Sequence, residues 1–179
     1  MNLPNKLTIF RVLCIPVFVV FLVCDSIPHN NLYAVGVFML ASLTDFFDGM
    51  IARKYNLITN FGKFMDPLAD KLLVCSALIC LISENDLTAW MVVIIISREL
   101  FISGFRIIAA DQGIVLAAGW WGKFKTVFQM FMIIALLFKP ELNYDWFSYI
   151  CTGLIYISLA LTIISMIDYL HKNIQVLKN

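Results

Sequence analysis

An all-α integral membrane protein, with six transmembrane helices in one bundle, is the fold that three observations predict. The 179-residue chain is 61% hydrophobic with a mean hydropathy of +0.89, against about 45–50% apolar residues in an ordinary soluble domain. Its apolar residues fall into six runs, near 8–24, 32–52, 63–83, 87–108, 120–138 and 146–168, each close to the roughly 20 residues that a bilayer-crossing helix needs. Polar punctuation separates the runs, at 25–31, 54–56, 84–86, 111–113 and 139–141. Most of them lack the polar face that the helices of a soluble bundle carry.

The first run opens with Lys6 and Arg11 but is followed by no small-residue cleavage site, so it reads as a membrane helix and not as a signal peptide. The second run ends with Asp45 and Asp48, and the third begins with Asp66 and Asp70. Pro67 is tolerable only in a first turn, which predicts that the third helix starts, or kinks, near Asp66. The fourth run carries Arg98, Glu99 and Arg106 in its inner part. The fifth opens with Trp120, Trp121, Lys123 and Lys125. These two tryptophans, with Trp90 and Trp146 at the opposite ends, fit the aromatic belts of membrane interfaces. The outer halves of the last three runs are rich in Ile, Leu, Phe and Met and show no evident chemistry. Five cysteines lie scattered in apolar segments without metal-ligand spacing, as buried free thiols do. No repeat, low-complexity tract or soluble domain interrupts the chain, so residues 1–179 are expected to form a single domain.

The net charge of +1 hides an asymmetry. With six spans, one side of the membrane collects Lys6, Arg11, Arg53, Lys54, Lys63, Lys71, Arg98, Arg106, Lys123, Lys125, Lys172 and Lys178, and only Lys139 falls on the other. The positive-inside rule makes the crowded side, with both termini and all four aspartates, cytoplasmic.

Those aspartates demand a cause. A carboxylate at membrane depth costs about 2.5–3.5 kcal/mol on insertion scales, and four so close together call for a shared cationic partner, of which metal ions are the obvious kind. On a helix, Asp45, Asp48, Gly49 and Ala52 share one stripe, with Arg53 a step round at the end and suited to bidentate phosphate binding. Gly62, Asp66 and Asp70 are spaced by four and stack likewise. Gly49, Ala52 and Gly62 leave room for a close approach to the backbone. The ligands are all oxygens, which favours Mg²⁺ or Mn²⁺ over zinc. A divalent-cation transporter is the non-enzymatic alternative, although the outer halves offer no continuous polar pathway.

Read continuously, Asp45-x-x-Asp48-Gly49-x-x-Ala52-Arg53 and Gly62-x-x-x-Asp66-x-x-x-Asp70 resemble the signature of the CDP-alcohol phosphotransferase family, with no motif position missing. The resemblance implies a homodimeric enzyme of the bacterial plasma membrane with a cytoplasmic site for two divalent ions. Such an enzyme moves a substituted phosphate from a CDP-linked donor to an alcohol and releases CMP. It implies that Asp45, Asp48 and Asp66 are metal ligands and that Asp70 is the general base and a further metal contact. Gly49, Ala52, Arg53 and Gly62 would belong to the CDP pocket. Asn5 and Thr8 are candidates for the nucleotide or its phosphates, with capping of the first helix as their alternative role.

The segments around Asn2–Arg11, Ser97–Arg106 and Gly122–Thr126 resemble the branch of that family that takes CDP-diacylglycerol as donor and glycerol 3-phosphate as acceptor. A phosphorylated acceptor needs cationic hosts. Arg98 and Arg106 in the fourth run would be costly in a membrane without an anion, and Lys123, Lys125 and Arg11 are further candidates. For the two lysines the alternative is ordinary interfacial anchoring. Glu99 is placed to orient one of the arginines. Serine, inositol phosphate and phosphatidylglycerol are the competing acceptors.

Overall fold

The computed structural model describes residues 3–24, 26–54, 60–84, 86–111, 119–142 and 144–173, and their side chains except at 3–4, 46–54, 60–61, 63–64 and 111. Among the described residues six helices follow one another: α1 (Leu3–Val23), α2 (Asn30–Lys54), α3 (Asn60–Ser83), α4 (Ala89–Asp111), α5 (Trp120–Leu142) and α6 (Asp145–Asn173). The shortest has 21 residues, about 30 Å at 1.5 Å per residue, which matches the hydrocarbon core of a bilayer. By length and composition α5, α6 and the Asn5–Val23 part of α1 suffice to cross a membrane. The helices α2, α3 and α4 are as long, but α2 and α3 are less apolar and α4 carries Arg98, Glu99 and Arg106 within its span.

Several boundaries differ from the sequence reading, three of them at polar residues or prolines. The first helix begins at Leu3 and not near residue 8, because Asn5 and Thr8 are buried polar residues of the helix itself. They lie inside it, so neither caps it. The third begins at Asn60, which excludes a start at Asp66 and leaves the alternative of a kink there, and Pro67 lies within it. A proline removes one amide and its bond to the carbonyl four residues back, and here the chain has already turned into a helix upstream of it. The fifth runs through Pro140 to Leu142 in the same way.

The helices pack as two compact units, Met1–Glu84 and Asn85–Asn179. In the first, α1 packs against both α2 and α3. Its buried stripe is Asn5, Thr8, Arg11, Cys14, Phe18 and Leu22, at spacings of three and four. That stripe is polar at one end and apolar at the other. Phe18 meets Phe38 of α2 with ring centroids 5.8 Å apart, and the buried Ala34, Ala41, Ala69 and Ala77 let the backbones approach closely. The opposite face of α1, with Leu13, Val17 and Val20, is apolar and exposed, as a lipid-facing surface must be.

In the second unit α6 packs against both α5 and α4. Ile102, Phe105 and Ala109 of α4 form a cluster with Tyr169 of α6. On α5 the buried residues run from Lys125 and Gln129 to Met132, Ile133, Leu136 and Leu137, again polar to apolar. At the far end of this unit Lys139 donates to Asp86 at 2.6 Å. Several hydroxyls within the helices are satisfied by their own backbone: Ser42 donates to the Phe38 carbonyl at 2.8 Å and Thr162 to that of Ser158 at 2.7 Å. This is how serine and threonine are tolerated in apolar surroundings.

Candidate active site

The polar end of α1 organises the acidic residues of the first unit. Thr8 Oγ1 donates to Asp66 Oδ1 of α3 at 2.5 Å. One turn along the same face, Arg11 is wholly buried and its Nη1 lies 2.6 Å from Asp45 Oδ1 of α2, an ion pair rather than an aligned hydrogen bond. A buried guanidinium is tolerable only when paired, and Asp45, still 44% exposed, supplies the charge. One helix face thus holds the first carboxylate of each half of the aspartate pattern.

The α3 helix is continuous through Asp66 and Asp70, so the two lie on one face, Asp66 half-buried and Asp70 exposed. Gly62, one turn earlier, is buried, as a position of close approach requires. Asp48, Gly49, Ala52 and Arg53 lie within α2, where helical spacing sets Asp48 one turn beyond Asp45. Their side chains are outside the described residues.

The donor chemistry fits hard divalent cations. Asp45 and Asp66 are each engaged through one oxygen, and an ionised carboxylate offers about four lone-pair sites, so both retain capacity for a metal ion. Among the described residues no three His, Cys, Asp or Glu residues already form a cage.

The basic residues of the second unit are arranged by a carboxylate. Glu99 Oε1 accepts from Arg98 Nη1 at 3.1 Å and also from Lys125 Nζ of α5. Lys125 is 2% exposed and the Arg98 side chain 10%. Arg98 Nε is buried without a hydrogen-bond partner among the described residues. Its Nη2 reaches the first turn of α5, 3.6 Å from where a Cβ on Gly122 would stand. Two of the candidate acceptor residues are therefore brought together. The other two of this unit are more open. Arg106 is exposed, with its guanidinium carbon 6.0 Å from the centroid of the Tyr169 ring, and Lys123 stands 4.8 Å from that of Trp120. Arg11, the fifth candidate, is held by Asp45 in the first unit.

Sequence reasoning left three features unread. It named Glu99 as an orienting group but not its bond to Lys125, 26 residues away. It offered Thr8 to the nucleotide or to helix capping and Arg11 to the acceptor phosphate, and did not foresee their contacts with Asp66 and Asp45. It passed over the buried polar residues Gln129 of α5 and Ser158, Thr162 and Ser165 of α6, of which Gln129 Oε1 and Ser158 Oγ lack partners among the described residues. The spacing of Ser158, Thr162 and Ser165, by four and three, was the available signal.

Comparison with known proteins gives the chain its family. The family profile of the CDP-alcohol phosphatidyltransferases matches residues 1–164. A relative in Bacillus subtilis (strain 168), named CDP-diacylglycerol–glycerol-3-phosphate 3-phosphatidyltransferase, is 42% identical over 99% of this chain and 97% of its own. Proteins of the same name in Haemophilus influenzae and Escherichia coli (strain K12) are 43% and 37% identical, each over 94% of this chain and 91% and 93% of their own.

Proposed function

The chain belongs to the CDP-alcohol phosphatidyltransferase family, and from that premise we propose that it transfers the phosphatidyl group of CDP-diacylglycerol to glycerol 3-phosphate, releasing CMP and forming phosphatidylglycerophosphate. The observation that carries this reading is the likeness, over almost the whole chain, to curated transferases of that name. The family match runs through both compact units, which supports one catalytic domain over residues 1–179.

Members of this family generally use divalent metal ions. Two ions, Mg²⁺ or Mn²⁺, held by Asp45, Asp48, Asp66 and Asp70, would supply neutralisation of the donor pyrophosphate and a clamp on the leaving phosphate. The protein's own residues do the rest. Asp70, exposed on the same face of α3 as Asp66, takes the proton of the acceptor hydroxyl as its oxygen bonds to phosphorus and the bond to CMP breaks. Thr8 and Arg11 orient Asp66 and Asp45. Asn5, Gly49, Ala52, Arg53 and Gly62 line the place of the CDP moiety, the small residues by leaving space and Arg53 by charge. Arg98 and Lys125, with the more open Arg106 and Lys123, hold the acceptor phosphate. Catalysis of this kind is mostly positioning and electrostatics.

The crowding of basic residues on one side supports an active site and termini facing the cytoplasm, where CMP can leave while the acyl chains stay in the bilayer. A homodimer is part of the proposal, checked by cross-linking in membranes. The deciding experiment measures CMP release by purified protein in detergent with CDP-diacylglycerol and Mg²⁺ or Mn²⁺, acceptors added singly. Release that requires glycerol 3-phosphate supports the reading. Release only with serine, inositol phosphate or phosphatidylglycerol would reassign the acceptor, and silence with all of them in folded protein would overturn the reaction.

A further inference from the structure

We propose that Asp168 of α6 caps α5 from outside that helix and so acts as a positioning residue for the acceptor-phosphate site at the start of α5. The positioning role rests on the acceptor reading given above, whereas the capping stands or falls without it.

A helix opens with unbonded amides and the positive end of its dipole, and both call for a negative group nearby. The first turn of α5 contains no acidic residue, and Lys123 and Lys125 follow directly. Glu99 of α4 answers Lys125, but nothing in α5 answers the helix start itself. The usual remedy is a side-chain oxygen on the residue before the helix. Here that residue is Gly119, whose carbonyl accepts from the Lys123 amide at 3.3 Å and which has no side chain to offer. A carboxylate comes in from α6 instead: Asp168 Oδ2 lies 3.3 Å from where a Cβ on Gly119 would stand. Lys172, one turn along α6, steadies it, with Nζ 2.7 Å from Oδ1 and 2.9 Å from Oδ2. Only 22% of the Asp168 side chain is exposed, so solvent screens its charge incompletely. Glycine at 119 and aspartate at 168 thus complement each other, one leaving the space that the other enters. The contact ties the start of α5 to α6. That start sets where Lys123 and Lys125 stand and where Gly122 meets the Arg98 guanidinium. Asp168 acts through these residues, since its own charge repels a phosphate.

The test is a double-mutant cycle on the full-length protein in detergent, read by thermal melts and by CMP release at varied glycerol 3-phosphate. Asp168→Ala is expected to lower Tm by about 2–4 °C. It is also expected to raise the KM for glycerol 3-phosphate about fivefold, with kcat and the KM for CDP-diacylglycerol within about twofold. Gly119→Asp moves the carboxylate onto the cap itself. In the wild-type background it sets two carboxylates against each other and is expected to lower Tm by about 2–4 °C. In the Asp168→Ala background it is expected to raise Tm by a similar amount and to bring the KM back towards wild type. That change of sign supports the cap, and an equal shift in both backgrounds overturns it. Lys172→Met removes the exposed ion pair alone and is expected to leave Tm within about 1 °C and the KM within about twofold. If it reproduces the Asp168→Ala losses, Asp168 serves α6 and not α5, and the proposal falls. A wild-type KM in Asp168→Ala, with the Tm cycle as expected, refutes the positioning role. Should Asp168→Ala not accumulate as folded protein, its rescue by Gly119→Asp decides: recovery supports the cap and no recovery refutes it. If CMP release by the unmodified protein does not depend on glycerol 3-phosphate, the acceptor reading fails, while the melts still decide the cap.

Discussion

The polar ends of the two units are built on opposite plans. The first gathers carboxylates, Asp45 and Asp66 with Asp70 beyond, and sets one buried arginine among them. The second gathers cations, Arg98 and Lys125, and sets one glutamate between them. In each, among the described residues, one side chain of the minority sign stands between like charges. On the proposed reading the first offers its carboxylates to metal ions and the second its cations to a phosphate. A surface patch of mixed charge would not have this property, since solvent screens exposed pairs and leaves them worth little.

The comparison can be broken most decisively at Asp70. Asp70→Asn is expected to lower kcat about a thousandfold through loss of the proton acceptor, with Mn²⁺ binding largely retained in a spectroscopic titration. Near-normal turnover would remove Asp70 from the chemistry. In the second unit the expected effect falls on KM instead. Lys125→Met is expected to raise the KM for glycerol 3-phosphate about 10–100-fold, and Arg106→Ala, whose side chain is exposed, only about threefold to tenfold. A reversal of that order would place the phosphate nearer Arg106 and Tyr169.

Changes on α1 sharpen the contrast. Thr8→Val is expected to weaken Mn²⁺ binding about tenfold, as loss of a group that orients a ligand does, while the KM for glycerol 3-phosphate stays within about twofold. Arg11→Met is likewise expected to leave that KM unchanged, and a strong rise would move Arg11 to the acceptor. The smallest effect on turnover is expected at the far end of the second unit. Lys139→Met strands Asp86, whose side chain is 9% exposed, so stability falls by about 1–3 kcal/mol in a thermal melt, with kcat and KM unaltered.

Much of this was legible in the chain itself. Long apolar runs give six helices because a bilayer demands them, and carboxylates repeated at helical spacing share a helix face. The boundaries were less legible. Polar residues in the first turns of α1, and prolines inside α3 and α5, look like helix ends until it is known what the polar groups bond to. The same holds at the site. Asp45 and Asp66 announce themselves, whereas their partners Arg11 and Thr8, 34 and 58 residues earlier (45 − 11 and 66 − 8), do not. Glu99 and Lys125 are likewise joined only by tertiary packing. Spacing reveals what shares a helix face; it is silent on which face of another helix arrives opposite.

The split character of the α1 stripe has a consequence for the order in which the protein assembles. Synthesis proceeds from the amino terminus, so Arg11 emerges long before Asp45 exists. Until α2 has been made and brought alongside, its guanidinium has only water and lipid headgroups for company, and the inner end of α1 stays at the membrane surface while Phe18 and Leu22 are already at home in the bilayer. Burial of Arg11 is then a late event, completed by the same encounter that sets Asp45 beside it, and a chain stalled before α2 lacks the pair.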